Sequence, residues 1–174
     1  MDPSGFVLLA DYVPSIVQEI RYYSSFNFIG DRIDGYEEPC ALLTIEAATG
    51  KLPELQEAIE SRLEAAGCPL KTLMEISVVV EEVFANIAMY AYTPGTGRAD
   101  VRMDISGDPA VVTIRFADRG IPYDPLARKD PDLSLPAEER EIGGLGIYMT
   151  KKLMDEVRYE YRDGQNILTL TKKL

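Results

Sequence analysis

The chain has 174 residues, a length for one domain with a modest appendage, and its 46% hydrophobic content supplies enough apolar side chains for a self-sufficient core. Eighteen Lys and Arg against 29 Asp and Glu leave a formal net charge of -11, so direct binding to nucleic acid or to an anionic membrane would run against repulsion. Histidine is absent, which excludes Ser-His-Asp and Cys-His triads and every His-ligated zinc site. Cys40 and Cys68 lack CxxC spacing and suit a reduced compartment. The opening MDPSGFVLLADYVPS carries acid where a secretion signal carries base, and no apolar run of about 18 residues occurs, so a cytoplasmic protein is expected.

The texture changes near residue 40. Residues 1–40 are rich in Tyr, Asp and Gly and include the turn-like Gly30-Asp31-Arg32-Ile33-Asp34-Gly35, whereas the remainder is periodic. A boundary therefore falls between Pro39 and Thr49. Leu42-Leu43-Thr44-Ile45 reads as a strand. Pro53 then suits a first helical turn, and Leu55, Ile59 and Leu63 recur at i+4, predicting a first helix that ends at Gly67. Leu73, Ile76, Val80, Phe84, Ile87 and Tyr90 predict a second, long and largely buried helix running to Tyr92, stopped by Thr93-Pro94-Gly95-Thr96-Gly97. Val101, Met103, Ile105 and then Val111–Phe116 alternate as a hairpin about Gly107-Asp108-Pro109. Residues 119–142 hold four prolines and no sustained period, which predicts a long functional lid. A third helix follows from Ile147, Lys151 and Met154, and Val157–Tyr161 with Ile167–Leu170 predict a second hairpin. Strands grouped together with helices grouped apart argue for an α+β fold: a two-layer sandwich, one mixed β-sheet with its helices on one face.

Three polar groupings could carry chemistry. Glu82 and Asn86, four apart on a helix, lie one turn above each other. A carboxylate can accept a proton from an attacking hydroxyl, and a neutral amide oxygen can ligate magnesium; the ordinary alternative is two wet-face residues, but the apolar neighbours from Val78 to Ala88 leave little wet surface. Asp118-Arg119-Gly120 closes a strand, where a carboxylate could accept an adenine amino hydrogen, although Asp and Gly are also common turn formers. Gly143-Gly144-Leu145-Gly146 opens a helix and could offer backbone N–H groups to phosphate; a plain hinge is the alternative, and neither a Walker A nor a Rossmann pattern fits.

The order of these groupings resembles the N, G1 and G2 boxes of the gyrase, Hsp90, histidine kinase and MutL ATPase superfamily. The segments Glu81-Glu82-Val83-Phe84-Ala85-Asn86-Ile87, Asp118–Pro125 and Gly143–Val157 are most similar to the anti-sigma factor serine kinase family, over about residues 42–174. The resemblance implies the Bergerat-type ATP-binding fold and a set of roles. Asn86 would ligate magnesium, Glu82 would be the general base, Asp118 would bind the adenine amino group and Gly120 would flank the base. Gly144, Leu145 and Gly146 would face the phosphates, and Arg140 would reach phosphate from the lid. Tyr90-Ala91-Tyr92 stands where the family commonly has His-Gly-Tyr or His-Ala-Tyr, and Asn166 where many members carry threonine near the adenine.

Residues 1–41 resemble a different family, the N-terminal segment of zinc D-alanyl-D-alanine dipeptidases, through Phe6-Val7-Leu8-Leu9, Glu19-Ile20-Arg21-Tyr22, Asn27-Phe28-Ile29-Gly30 and Ile33-Asp34-Gly35-Tyr36. Without histidine that family's zinc site cannot be assembled, so the segment reads as an extension without catalytic residues, followed by an ATP-binding domain over residues 42–174. The expected function is a magnesium-ATP-binding anti-sigma-type regulator that transfers the γ-phosphate to a serine of an anti-anti-sigma partner and also meets a sigma factor. The alternative is an ATP-dependent binding module that transfers nothing. The absence of any His-bearing dimerisation helix speaks against a sensor histidine kinase fragment. A homodimer is left open.

Overall fold

The computed structural model describes residues 41–127, 129–131 and 145–174, all within the unit Glu38–Leu174. The dipeptidase-like segment, Cys40, Arg140, Gly144 and most of the expected lid lie outside the described residues. In order come β1 (Ala41–Glu46), a short 3-10 turn (Thr49–Lys51), α1 (Leu52–Ala65), α2 (Leu70–Asn86), a π-helical turn (Ile87–Ala91), β2 (Arg98–Ser106), β3 (Val111–Asp118), α3 (Leu145–Leu153), β4 (Glu156–Arg162) and β5 (Gln165–Lys173).

The helices form where the periodicity places them. Pro53 sits in the first turn of α1, where its missing N–H costs no bond, and Leu55, Ile59 and Leu63 are buried along one face. Gly67, with φ of +72°, takes the left-handed conformation after the helix end. α2 buries Leu73, Ile76, Val79, Val80, Val83 and Phe84. Its stripe stops at the π turn: Ile87 is half-buried and Tyr90 is 66% exposed, so the regular helix ends at Asn86, short of the expected Tyr92.

The five strands form one sheet in the order β1-β2-β3-β5-β4. Val112, Ile114 and Phe116 on β3 and Leu168 and Leu170 on β5 join the helix stripes in one core, as a two-layer α+β sandwich requires. Every strand pair is antiparallel, so the expectation of a mixed sheet is corrected. The long connection through α3 does link two strands that run the same way, β3 and β4, but β5 folds back between them and pairs with both. The hairpin turn that directs this return is Asp163-Gly164, both with positive φ, a combination that matches the twist of paired strands.

Candidate active site

A cleft of about 650 Å³ opens between α2, its π turn, the end of β3 and the start of α3. Glu82, Asn86, Asp118, Leu145 and Gly146 all line it, so groupings separated by up to 64 positions are brought together. Glu82 and Asn86 project from the same face of α2, and Asn86 Nδ2 donates to Glu82 Oε1 at 2.9 Å. That bond leaves Asn86 Oδ1 as a neutral acceptor on the cleft wall. Opposite lies the first turn of α3: a Cβ built on Gly146 would stand 1.8 Å from Glu82 Cδ. Only glycine allows the carboxylate and this helix turn to approach so closely.

Asp118 ends β3 and is 6% exposed. Its Oδ1 accepts from the Gly120 N–H at 2.9 Å and from Asn166 Nδ2 at 2.9 Å. Among the described residues Oδ2 has no partner, which leaves one acceptor-only oxygen on the cleft wall. Asn166 faces Asp118 directly across the β3–β5 ladder. It also accepts from the Tyr159 hydroxyl at 2.8 Å. Burial pushes the Tyr159 phenol above its usual value, with the nearby Asp124 carboxylate adding to the rise, so Tyr159 is held as a donor.

Gly120, expected beside the base, lies between the cleft-lining residues Asp118 and Ile121 and packs its Cα against Ala91. A Cβ there would lie 2.3 Å from the Ala91 carbonyl oxygen. The same carbonyl accepts the Ile121 N–H at 2.8 Å, so the π turn exposes a carbonyl on which the loop after β3 docks. Tyr92 braces this corner: its hydroxyl donates to the Arg98 carbonyl at 2.6 Å and accepts from the Arg119 N–H at 2.8 Å. Tyr90, where the family commonly has histidine, projects into solvent at the cleft mouth.

In the sequence Asn166 stands out only as a departure from a family pattern, and nothing there singles out Tyr159 or the Ala91 carbonyl. The Asp163-Gly164 turn was the available signal, because a two-residue hairpin loop fixes the register that pairs Tyr159 with Leu168 and Tyr161 with Asn166. Among the described residues no group of three Asp, Glu, Cys or His could hold a metal. A magnesium ion here would depend on phosphate oxygens and water, with Asn86 Oδ1 as the protein's neutral ligand, a pattern that suits a metal arriving with its nucleotide.

Residues 45–172 match the family described as the histidine kinase-like ATPase domain. The serine/threonine-protein kinase BtrW of Bordetella bronchiseptica is 31% identical over 96 residues, which cover 55% of this chain and 67% of that protein. The serine-protein kinase RsbW of Listeria monocytogenes is 25% identical over 59% of this chain and 68% of its own length. That of Bacillus cereus is 29% identical over 54% and 60%. Among solved structures, the RsbU and RsbW domains of a Mycobacterium tuberculosis protein share the fold, with a TM-score of 0.56 at 20% identity over 78% of this chain. The chain spans about a third of that solved chain and about two thirds of the kinases. With most of its length inside the family's match, the chain belongs to the histidine kinase-like ATPase domain family, on the branch of the anti-sigma factor serine-protein kinases.

Proposed function

We propose that this protein is a cytoplasmic magnesium-ATP-dependent serine kinase that regulates transcription by phosphorylating a serine of an anti-anti-sigma partner, with a sigma factor as its second partner. The observation that carries this reading is that Glu82, Asn86, the Gly146 turn and Asp118 line one cleft, with Asp118 Oδ2 unpartnered among the described residues. Asp118 would hold the adenine amino group. The first turn of α3, with Leu145 and Gly146 and the adjoining Gly144, would offer N–H groups to phosphate, and Arg140 would add charge from the lid. Magnesium would neutralise phosphate charge beside Asn86, and Glu82 would take the proton of the attacking serine hydroxyl. The ATP-binding unit on this reading is residues 42–174, with residues 1–41 an extension without catalytic groups. Among the described residues no helix is long and apolar enough to cross a membrane.

Incubating the purified chain with γ-labelled ATP, magnesium and candidate anti-anti-sigma proteins should place label on one serine of the cognate partner. ATP binding without any transfer would leave the second reading, an ATP-dependent binding module.

A further inference from the structure

Every hydrogen-bonding valence of the Asn166 side chain is met by the protein. Its Oδ1 accepts from the Tyr159 hydroxyl at 2.8 Å and from the Tyr123 N–H at 3.1 Å. Its Nδ2 donates to Asp118 Oδ1 at 2.9 Å and to the Ile121 carbonyl at 3.1 Å. The orientation of the amide follows from these partners, because a backbone N–H only donates and a carbonyl only accepts. An asparagine side chain offers two donors and two acceptor lone pairs, so none remains for a ligand. The residue is 7% exposed and ties together three elements: the end of β3, the loop at Ile121 and Tyr123, and β4.

We infer that Asn166 is a positioning residue for base selection: without contacting the nucleotide it turns Asp118 so that one carboxylate oxygen faces the cleft, favouring a nucleoside triphosphate with an exocyclic amino group over one with a carbonyl there. The inference rests on the ATP-binding reading of the same cleft. With Oδ1 held by Asn166 and by the Gly120 N–H, the carboxylate plane is fixed at two points. Oδ2 then meets the base as an acceptor. An amino group gives it a proton to bind, whereas a carbonyl sets lone pair against lone pair and leaves both groups unpaired in a desolvated site. Asn166→Asp keeps the acceptor for Tyr159 and Tyr123 but replaces the Nδ2 donor with an oxygen facing Asp118. Two facing carboxyls must share a proton, and either the Asp118 plane turns or one of its oxygens becomes a donor.

The test titrates the full chain with magnesium and either ATP or inosine triphosphate, which differ at the six-position of the base by amino against carbonyl. The wild type should prefer ATP by about tenfold or more. In Asn166→Asp, ATP affinity should fall about tenfold and inosine triphosphate affinity by less than about threefold, so that the preference collapses. Tyr159→Phe removes one of the donors that hold the Asn166 amide and should shrink the preference about two- to threefold; if Asn166→Asp does not fold, this variant decides. A wild-type preference retained in the folded variants, even with both affinities lowered together, overturns the inference, as does a wild type that binds both nucleotides equally. If the wild type binds neither, the ATP-binding reading itself falls and takes the inference with it.

Discussion

The Glu82 carboxylate rests on the backbone of Gly146: a Cβ at residue 146 would come within 1.8 Å of Glu82 Cδ and 1.9 Å of its Oε1. The position of the proposed base is therefore set by the first turn of α3, 64 residues further along the chain. Gly146→Ala should expose this dependence. The displaced atoms are the end of a flexible side chain and alanine suits a helix, so the folding free energy should change by less than about 1 kcal/mol. Transfer should fall about 100-fold because the carboxylate is pushed out of line. Thermal melting and transfer rates on the same preparation check both halves, and an unchanged rate would uncouple Gly146 from Glu82.

Gly120→Ala presents the opposite case. The obstructing atoms are the Ala91 carbonyl oxygen at 2.3 Å and the Ala91 Cβ at 2.6 Å, which belong to the π turn and cannot swing aside. Either the Ile121 N–H bond to that carbonyl breaks or the turn shifts, and the cost should be about 2 to 3 kcal/mol of folding stability. Urea unfolding measures it, and a loss under about 0.5 kcal/mol would show that the loop yields freely.

Asp118→Ala removes the proposed amino-group acceptor and also strands the Asn166 Nδ2 and Gly120 N–H donors. ATP affinity should weaken by about 1 to 3 kcal/mol in calorimetry, and unfolding should become easier as well. Unchanged affinity would dismiss Asp118 from base recognition.

What the sequence made legible was what periodicity or a single residue's chemistry controls. The i+4 stripe of Leu55, Ile59 and Leu63 gave α1, Gly67 its end, and the alternation of Val101, Met103 and Ile105 the inward face of β2, on which Val101 and Met103 are buried and Ile105 partly so. The pairing of Glu82 with Asn86 follows from helical spacing alone. The rest depends on register and on which strand neighbours which. Asn166 meets Asp118 only because β5 inserts between β3 and β4, and the Ala91 carbonyl becomes available only because the helix relaxes into a π turn that no residue between Ile87 and Ala91 announces. A bond network drawn from three elements has no local pattern to read.

Tyr92 and Tyr159 set an alkaline limit on stability. Burial is the main cause that raises both phenols above 10.0, with nearby carboxylates adding to the rise. A folded-state value above the unfolded one favours the neutral form in the folded state. Their contribution is thus complete below about pH 10 and lost as the pH climbs through the raised values. The melting temperature should fall on this limb, and less steeply in Tyr92→Phe. At neutral pH the same variant should lose about 1 to 2 kcal/mol, since the Arg98 carbonyl and Arg119 N–H lose their shared partner.

Glu82→Gln separates a kinase from a nucleotide-dependent binder. Glutamine keeps the size of the side chain and the oxygen that accepts from Asn86 Nδ2, so Asn86 should stay where it is and ATP should bind with unchanged affinity. What disappears is the capacity to take a proton from a serine hydroxyl. General-base assistance is worth about 100- to 10,000-fold, and phosphoryl transfer leans more on positioning and charge neutralisation than on the base, which places the expected loss at about 100-fold. That is a barrier increase of about 2.7 kcal/mol. Asn86→Ala should instead damage both steps, because it removes the neutral ligand beside the phosphates and lets the Glu82 carboxylate swing. Binding and single-turnover transfer measured on the three proteins therefore give a pattern that neither variant gives alone: binding kept and chemistry lost at position 82, both lost at position 86. If Glu82→Gln transfers phosphate at the wild-type rate, the carboxylate is a helix-surface group that holds Asn86, and the proton leaves the serine by another path.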